Sequence, residues 1–248
     1  MTSISPTAPV LLRCLGTFEV TVQGRLADTF PTDKVRALLV YLALEARETA
    51  SRRSRPHRRE ALASLFWPEL DDALALTNLR VALHRLRQTL DRAAPHTSEA
   101  LLRITRQTVQ IDYAALEVDA VTFQELLAAC AAHSHAELSH CDECLQRLAA
   151  AVDLYHGELL AGFGLADAPV FEEWLLLRRE MLHQQALTAL HTLVSAHERR
   201  GELHQAHLCA RRQLALDPFR EESYRQLMAI LARLGLASEA LAQYEAYR

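Results

Sequence analysis

The stretch TNLRVALHRLRQTL, residues Thr77–Leu90, decides the fold of this chain. In and just before it, five leucines recur at spacings of three and four residues, which predicts a helix with one apolar stripe buried in a core. These leucines are Leu76, Leu79, Leu83, Leu86 and Leu90. Beside Val81, the other side of the helix carries hydrogen-bonding and cationic side chains with no carboxylate among them, namely Thr77, Asn78, Arg80, His84, Arg85, Arg87 and Gln88.

The text before this helix predicts short strands and two further helices. Apolar and polar residues alternate within Leu11–Val22, which is typical of short antiparallel strands. Thr32–Ala46 has an apolar helical stripe, and Arg58–Phe66 forms a second predicted helix that Pro68 ends. A small sheet followed by helices is therefore expected at the start of the protein.

The text after this helix predicts a β-hairpin. The helix itself begins at a cap formed by Asp71 or Asp72. Beyond its end, SEALLRITRQTVQIDY (Ser98–Tyr113) alternates apolar and polar residues on both sides of a tight turn near Arg106–Gln107. Strands, three helices and a hairpin in this order predict a winged helix-turn-helix, whose third helix enters the major groove of DNA while the hairpin lies along the flanking backbone.

The remaining sequence predicts an array of helices. GELHQA (Gly201–Ala206) recurs 34 residues later as GLASEA (Gly235–Ala240), and LALDP (Leu214–Pro218) closes the first unit, a pattern typical of tetratricopeptide repeats. Upstream, Leu145–Leu160 is one of several further apolar helical stripes. We expect a right-handed helical array, and because the second repeat stops within its second helix, we expect the chain to be a fragment of a longer protein.

These patterns predict a mainly α fold with small β elements. Residues 1–10 are expected to be disordered, residues 11–117 to form the winged-helix DNA-binding domain, and residues 118–248 to form the tetratricopeptide-like helical domain. No run of about eighteen apolar residues is present to span a bilayer, and the first ten residues lack the pattern of a secretion signal. The five scattered cysteines predict reduced thiols in a cytoplasm and no structural disulfide.

The charge is distributed unevenly. Residues 1–118 hold 16 Lys and Arg against 13 Asp and Glu, whereas residues 119–248 hold 11 against 18. Within the first part, Arg52–Arg92 contains nine arginines and five acids. A local basic stretch of this kind is what a polyphosphate partner selects, so the net charge of −4 does not argue against nucleic acid.

The quoted helix and several other stretches together resemble a known family. They are PHRREALASLFWPE (Pro56–Glu69), TNLRVALHRLRQTL, VDAVTFQELL (Val118–Leu127), LYHGELLAGF (Leu154–Phe163), FEEWLLLRREML (Phe171–Leu182) and LALDPFREESYRQLMAIL (Leu214–Leu231). From about Leu11 to its end, the chain resembles SARP-type regulators, in which an OmpR/PhoB-type winged helix precedes a bacterial transcriptional activator domain. The resemblance implies an activator that binds repeated sites in promoter DNA, usually as a dimer, and recruits RNA polymerase.

If the third helix is the recognition helix, five of its side chains are predicted to reach the major groove: Thr77, Asn78, Val81, His84 and Arg85. Arginine pairs with guanine, asparagine with adenine, and valine contacts the thymine methyl group. Arg80, Arg87 and Gln88 are better placed for phosphates. Arg103 and Arg106 on the hairpin are predicted backbone contacts. The alternative is a solvated helix face with ordinary surface arginines.

The connector before the second helix is longer and more basic than the family usually shows. Its arginines Arg52, Arg53 and Arg55 are as compatible with a solvated loop as with phosphate contacts. Arg58 and Arg59 are stronger candidates because they begin a helix whose N-terminus could face the DNA backbone.

One stretch has the residue types of a metal site. In HCDECLQRL, His140, Cys141 and Cys144 could bind zinc together with His133 or His135. No second CxxC is present, and a CxxC in a leucine-rich helix is more often a pair of packing residues, so neither a metal nor any other cofactor is predicted.

The sequence contains no motif of catalysis. It has no phosphate-binding glycine loop and no nucleophile in a recognisable frame, so we predict a protein that is not an enzyme. Two alternatives to a DNA-binding regulator remain open. One is an interaction scaffold in which the helical array binds a protein and the winged helix is a docking module; the other is a zinc- or thiol-dependent sensor.

Overall fold

The computed structural model describes residues 10–45, 55–134 and 137–247, and in these ranges the chain forms two compact units. The first contains the chain up to Val121 together with Glu158–Arg179, and the second contains Thr122–Gly157 and the chain from Glu180 onward. Arg52, Arg53 and His135, which the sequence raised as candidates, and residues 1–9 of the predicted N-terminal tail lie outside the described residues.

The first unit is a small mixed domain. In chain order it contains β1 (Val10–Arg13), β2 (Glu19–Val22), β3 (Arg25–Leu26), α1 (Asp33–Glu45), β4 (His57–Arg58), α2 (Arg59–Phe66), α3 (Asp72–Ala93), α4 (Thr97–Leu101), β5 (Leu102–Ile104), β6 (Thr108–Ile111) and β7 (Leu116–Val118). The predicted order of strands, three helices and hairpin is confirmed, with β4, α4 and β7 as additions.

The N-terminal sheet has the strand order β3-β2-β1-β7. β1 is antiparallel to β2 and parallel to β7, so that Val10 lies opposite both Val22 and Leu116. All three side chains are buried. Val10, which the sequence placed in the N-terminal tail, is therefore a core strand residue, because β7 supplies a second partner for β1 that local alternation does not reveal.

The leucine stripe of α3 packs into the core of the first unit as predicted. Leu79, Leu83, Leu86 and Leu90 are almost fully buried, whereas Leu76 is half-buried. Asp71 caps the helix by accepting a hydrogen bond from the Leu74 amide at 2.9 Å, which satisfies one of the free N–H groups of the first turn. The helix is therefore fixed at its start and along one side.

The predicted hairpin is present, but its first part is a helix. Ser98–Leu101 belong to α4, whose first turn is held by the Asp91 carboxylate, which accepts hydrogen bonds from the Ser98 amide (2.8 Å) and the Ser98 hydroxyl (2.7 Å). β5 and β6 then pair in register, with Leu102 opposite Ile111. β4 adds a third strand on the other side of β6, which the sequence did not predict.

The second unit is helical. It contains most of α5 (Asp119–Ala132), α6 (Asp142–Leu154), the later part of α7 (Pro169–Arg200), α8 (Leu203–Leu216), α9 (Glu221–Arg233) and α10 (Ala237–Tyr247). Gly201 and Gly235 adopt positive φ angles of 74° and 78° at the turns that precede α8 and α10. Glycine accepts this conformation without a steric penalty, which explains its presence at the start of both repeats.

Two apolar clusters hold the second unit together. One joins α5 and α6 to α7 through residues such as Leu145 and Leu190, and the other joins α7 to α8 and α9 through Val194, Ala206 and Ile230. The predicted helix Leu145–Leu160 is wrong in its second part, because α6 ends at Leu154. The chain from Glu158 onward belongs to the first unit, where its backbone forms hydrogen bonds with Cys14 and Gly16. Within the described ranges, no helix has the length and apolar character needed to cross a bilayer.

Candidate nucleic-acid interface

The solvent-exposed side of α3 carries most of the predicted contact residues. Thr77, Arg80, Val81, His84, Arg85 and Gln88 are all exposed. Thr77 donates its hydroxyl proton to the Ala73 carbonyl at 2.9 Å, and within the described chain Arg80 and Arg85 form no ion pair. Because the leucines anchor the opposite side of the helix, this face is rigidly held while its cations remain available to a ligand.

Two predicted residues lie at the edges of this face. Asn78 and Arg87 are half-buried. The Arg87 Nε atom is buried and has no hydrogen-bond partner among the described residues. Arg87 therefore packs its stem against the domain, and its guanidinium is less accessible than those of Arg80 and Arg85.

The tip of the hairpin is built by a threonine. The Thr105 hydroxyl accepts hydrogen bonds from the amides of Gln107 (3.1 Å) and Thr108 (2.9 Å), which closes the predicted turn. Arg106 lies at this tip, is exposed, and has no ion-pair partner in the part of the chain that is described. Arg103, by contrast, donates to the Asp112 carboxylate at 2.8 Å, so that its charge is already compensated.

Arg58 and Arg59 lie beside the hairpin, because β4 pairs with β6. Arg58 is exposed and lies opposite Thr108. The Arg59 amide donates to the Gln107 carbonyl at 2.9 Å, and its guanidinium donates to the Thr105 carbonyl at 3.3 Å. Arg59 therefore stabilises the hairpin tip, whereas the guanidinium of Arg58 is exposed to solvent.

The neighbouring residues Arg55 and His57 differ in their surroundings. Arg55 is exposed, whereas His57 is half-buried against the ring of Tyr41, with 5.7 Å between ring centroids. Burial lowers the pKa of His57 from its usual value, despite the opposing effect of the Glu45 carboxylate. The imidazole is therefore a neutral packing group and adds no cation to this surface.

An aromatic and ionic cluster supports α1 and α2 from a distant part of the sequence. Phe171 lies 5.3 Å from Phe66 between ring centroids, and Trp174 lies 5.0 Å from Tyr41. The Trp174 indole also donates to the Glu45 carboxylate at 2.8 Å. The sequence did not predict this packing of Phe171 and Trp174 against α1 and α2. The one signal was that FEEWLLLRREML is among the stretches that resemble SARP-type regulators.

Lys34 closes the same region from the side of α1. Its ammonium donates to the Phe66 carbonyl at 2.6 Å, pairs with the Asp167 carboxylate at 2.9 Å, and lies 5.1 Å from the centroid of the Trp67 ring. Lys34 thus joins the end of α2 to the segment before α7. It is fully engaged, and it is not a candidate for nucleic-acid contact.

The metal-like residues of the sequence lie in the second unit, and only part of the predicted set comes together. The His133 Nδ1 atom lies 3.1 Å from the Cys144 Sγ atom and 3.4 Å from the Cys141 Sγ atom. His140 does not join them, because its imidazole faces the Glu137 carboxylate at 3.6 Å. Burial and the neighbouring thiols of Cys130 and Cys141 raise the pKa of Cys144 to about 12.

Comparison with known proteins identifies the family to which the chain belongs. The profile of the bacterial transcriptional activator domain matches residues 118–248, which is more than half of the sequence, and the chain belongs to this family. A solved structure, Mycobacterium tuberculosis EmbR in complex with a low affinity phosphopeptide, has a TM-score of 0.65 and 19% sequence identity over 96% of this chain. At that identity the likeness shows a shared fold. This chain spans 59% of the EmbR chain, and no curated protein sequence matches it.

Proposed function

We propose that this protein is a sequence-specific DNA-binding transcriptional regulator in which the first unit is a winged helix. α3 is the recognition helix, and the β5–β6 hairpin is the wing. The observation that carries the proposal is the exposed face of α3, which combines two uncompensated arginines with hydrogen-bonding side chains and no carboxylate between Thr77 and Gln88.

The side chains of this face suit base recognition. Arg85 can bond the O6 and N7 atoms of a guanine together, and His84 and Gln88 can donate to base acceptors. Val81 is 41% exposed, so its methyl groups can contact the methyl group of a thymine. Arg80, Arg106 and Arg58 supply phosphate contacts, and Asn78, Arg87, Arg59 and Arg103 are secondary because each is half-buried or already bonded within the protein.

Membership of the bacterial transcriptional activator domain family supports a role in transcription. The fold shared with EmbR supports the arrangement of a small N-terminal domain before a helical array. From these we propose that the protein is an activator that recruits RNA polymerase, with the tetratricopeptide-like array providing contacts to protein partners or to a second copy of the chain.

The experiment that tests this proposal begins with selection of bound duplexes from a random DNA pool, because the target sequence is unknown. The affinity for the selected duplex is then measured by fluorescence anisotropy over a range of salt concentrations. We expect the logarithm of the association constant to fall linearly with the logarithm of salt, and Arg80→Ala to flatten the slope by about 0.9 for the lost phosphate contact.

Arg85→Ala is the specificity variant. We expect it to weaken binding to the selected duplex by roughly 5- to 150-fold, corresponding to about 1–3 kcal/mol for a bidentate base contact, with a smaller effect on a scrambled duplex. Arg25→Ala is the matched control, because Arg25 is an exposed arginine of the same unit on β3 and its removal changes the net charge equally. Failure of the wild-type protein to bind any duplex at low salt, or equal effects of Arg85→Ala and Arg25→Ala, would refute the proposal.

A further inference from the structure

The cysteine and histidine residues around the start of α6 have a spacing that the function proposed above does not use. The text CAAHSHAELSHCDEC (Cys130–Cys144) contains two pairs with two intervening residues each, Cys130-x-x-His133 and Cys141-x-x-Cys144. The CxxC spacing is characteristic of structural zinc sites, and histidine is the other common ligand of such sites. The first pair is easily overlooked, because one of its members is a histidine.

The structure brings three of these four residues together. α5 ends at Ala132, just before His133, and Cys141 is the N-cap residue of α6. The ligand atoms of His133, Cys141 and Cys144 all lie within 4.8 Å of one another. Zinc–sulfur bonds of about 2.3 Å and zinc–nitrogen bonds of about 2.0–2.1 Å place tetrahedral ligand atoms roughly 3.5–3.8 Å apart. The two distances from the His133 Nδ1 atom to the sulfurs, 3.1 and 3.4 Å, are already close to that spacing.

We propose that His133, Cys141 and Cys144 bind one zinc ion, with Cys130 as the fourth ligand. The resulting Cys3His set is one of the common structural zinc sites. The ion would join the end of α5 to the start of α6. We assign Cys130 as the fourth ligand because it is buried in the same apolar cluster as Cys144; its sulfur lies outside the compact group formed by the other three ligand atoms, so its side chain would rotate toward the ion.

The orientation of the His133 ring supports this assignment independently. Its Nδ1 atom faces the two sulfurs, and its Nε2 atom lies 3.7 Å from the Glu143 carboxylate. Zinc-bound histidines typically direct their second ring nitrogen to a carboxylate, which fixes the tautomer and strengthens the ligand. An imidazole between two thiols and a carboxylate therefore has the surroundings of a metal ligand.

Burial disfavours thiolates at this place, but the start of α6 lowers that cost. Cys141 occupies the N-cap position of α6 without a side-chain capping hydrogen bond, and Cys144 lies in the first turn. The partial positive charge of a helix N-terminus stabilises anionic sulfur at these positions. Together with a divalent cation, it would offset the cost of placing thiolates beside an apolar cluster.

The test uses Co²⁺ as the probe, added without oxygen to the full, reduced chain. We expect one Co²⁺ per chain, the charge-transfer and visible absorption bands of a tetrahedral thiolate site, and loss of those bands when one equivalent of Zn²⁺ displaces the cobalt. Cys144→Ser and His133→Ala are expected to abolish stoichiometric binding. Glu143→Gln should weaken the affinity by about 10- to 100-fold through the loss of its contact with His133.

Two matched controls exist within the second unit. Cys209→Ser removes the remaining cysteine of this unit, and His140→Ala removes an exposed neighbouring histidine, so both should bind one Co²⁺ with an unchanged spectrum. Cys141→Ser is the variant least prone to misfolding, because serine is a favourable N-cap residue, and circular dichroism will show whether it keeps its helices.

Metal binding by the wild-type chain and by the cysteine variants tests both the existence of the site and the identity of its fourth ligand. A wild-type chain that binds neither Co²⁺ nor Zn²⁺ while its thiols are reduced would overturn the proposal, as would a folded Cys141→Ser variant with the wild-type spectrum. Cys130→Ser should reduce the sulfur-to-cobalt absorption by one thiolate. An unchanged spectrum in that variant would overturn the assignment of Cys130.

Discussion

At the scale of single residues, Asp119 fixes the first unit through contacts that span more than a hundred positions. Its carboxylate is buried and accepts hydrogen bonds from the amides of Cys14 (2.8 Å) and Leu15 (2.9 Å). It also accepts from the Ala120 amide at 2.7 Å and from the Cys14 thiol at 3.1 Å. Burial, with the adjacent Asp119 charge, raises the pKa of Cys14 well above its usual value, so this thiol stays protonated and acts as a donor.

Removal of this carboxylate should destabilise the first unit. Asp119→Ala leaves the Cys14 and Leu15 amides buried and unpaired at about 1–3 kcal/mol each, so we expect the free energy of unfolding to fall by about 2–6 kcal/mol. Asp119→Asn should cost less, because the amide oxygen still accepts. Urea unfolding followed by the fluorescence of Trp67 and Trp174, both in the first unit, measures the change.

The matched control for this prediction is Glu117→Ala, which removes an exposed carboxylate from β7 two residues away. Its unfolding midpoint should stay close to that of the wild type. A midpoint for Asp119→Ala that is indistinguishable from the Glu117→Ala value would show that the buried carboxylate does not anchor the strand.

Residue-level prediction from the sequence succeeds where a residue's neighbours lie within one helix. Leu79, Leu83 and Leu86 are three or four positions apart, so their burial follows from helical geometry alone. Asp119 is different, because its partners at Cys14 and Leu15 are set by the parallel pairing of β1 with β7. Hydrophobic periodicity along the chain does not reveal such a pairing, so no role for Asp119 was predicted.

At the scale of elements, the hairpin shows how much turn chemistry can predict. The alternation of apolar and polar residues and the position of the turn were predicted from the sequence, and the hydrogen bonds of the Thr105 hydroxyl explain why the turn closes there. The surroundings of the two hairpin arginines could not be predicted from the sequence. Arg103 lies opposite Gln110 and reaches Asp112, whereas Arg106 projects from the tip, a distinction that depends on strand register.

This difference predicts unequal roles for the two arginines of the hairpin. Arg106→Ala should flatten the dependence of duplex binding on salt by about 0.9 in log–log slope, because one phosphate contact is lost. Arg103→Ala should change the slope much less, since the Asp112 carboxylate at 2.8 Å already compensates its charge. Fluorescence anisotropy with the selected duplex measures both slopes.

Each of these variants serves as the control for the other, because both remove one arginine from the same hairpin. Urea unfolding should show similar stability for the two proteins, so that a difference in binding reflects contact with DNA. A slope that changes more for Arg103→Ala than for Arg106→Ala would mean that the wing meets the duplex through its side and not through its tip.

At the scale of the whole molecule, the compact units do not coincide with the stretches that the sequence suggested. The family match covers residues 118–248, yet Glu158–Arg179 within it packs in the first unit. The Leu160 amide donates to the Cys14 carbonyl at 2.8 Å, and the Arg179 guanidinium donates to the carbonyls of Leu159 (2.8 Å) and Phe163 (2.8 Å). The contact between Leu160 and Cys14 joins positions far apart in the chain, and composition and hydrophobic periodicity cannot predict such a contact.

This arrangement predicts that a residue inside the family-matched range stabilises the proposed DNA-binding unit. Phe171 is fully buried against Phe66 at the end of α2, and truncation of a buried phenylalanine to alanine typically costs about 3–5 kcal/mol. Leu176 is an apolar residue of the same helix that is 65% exposed, so Leu176→Ala is the matched control. We expect Phe171→Ala to lower the urea midpoint of the first unit markedly, with the control near the wild type. Equal midpoints for the two variants would show that the packing of Phe171 against Phe66 does not stabilise this unit.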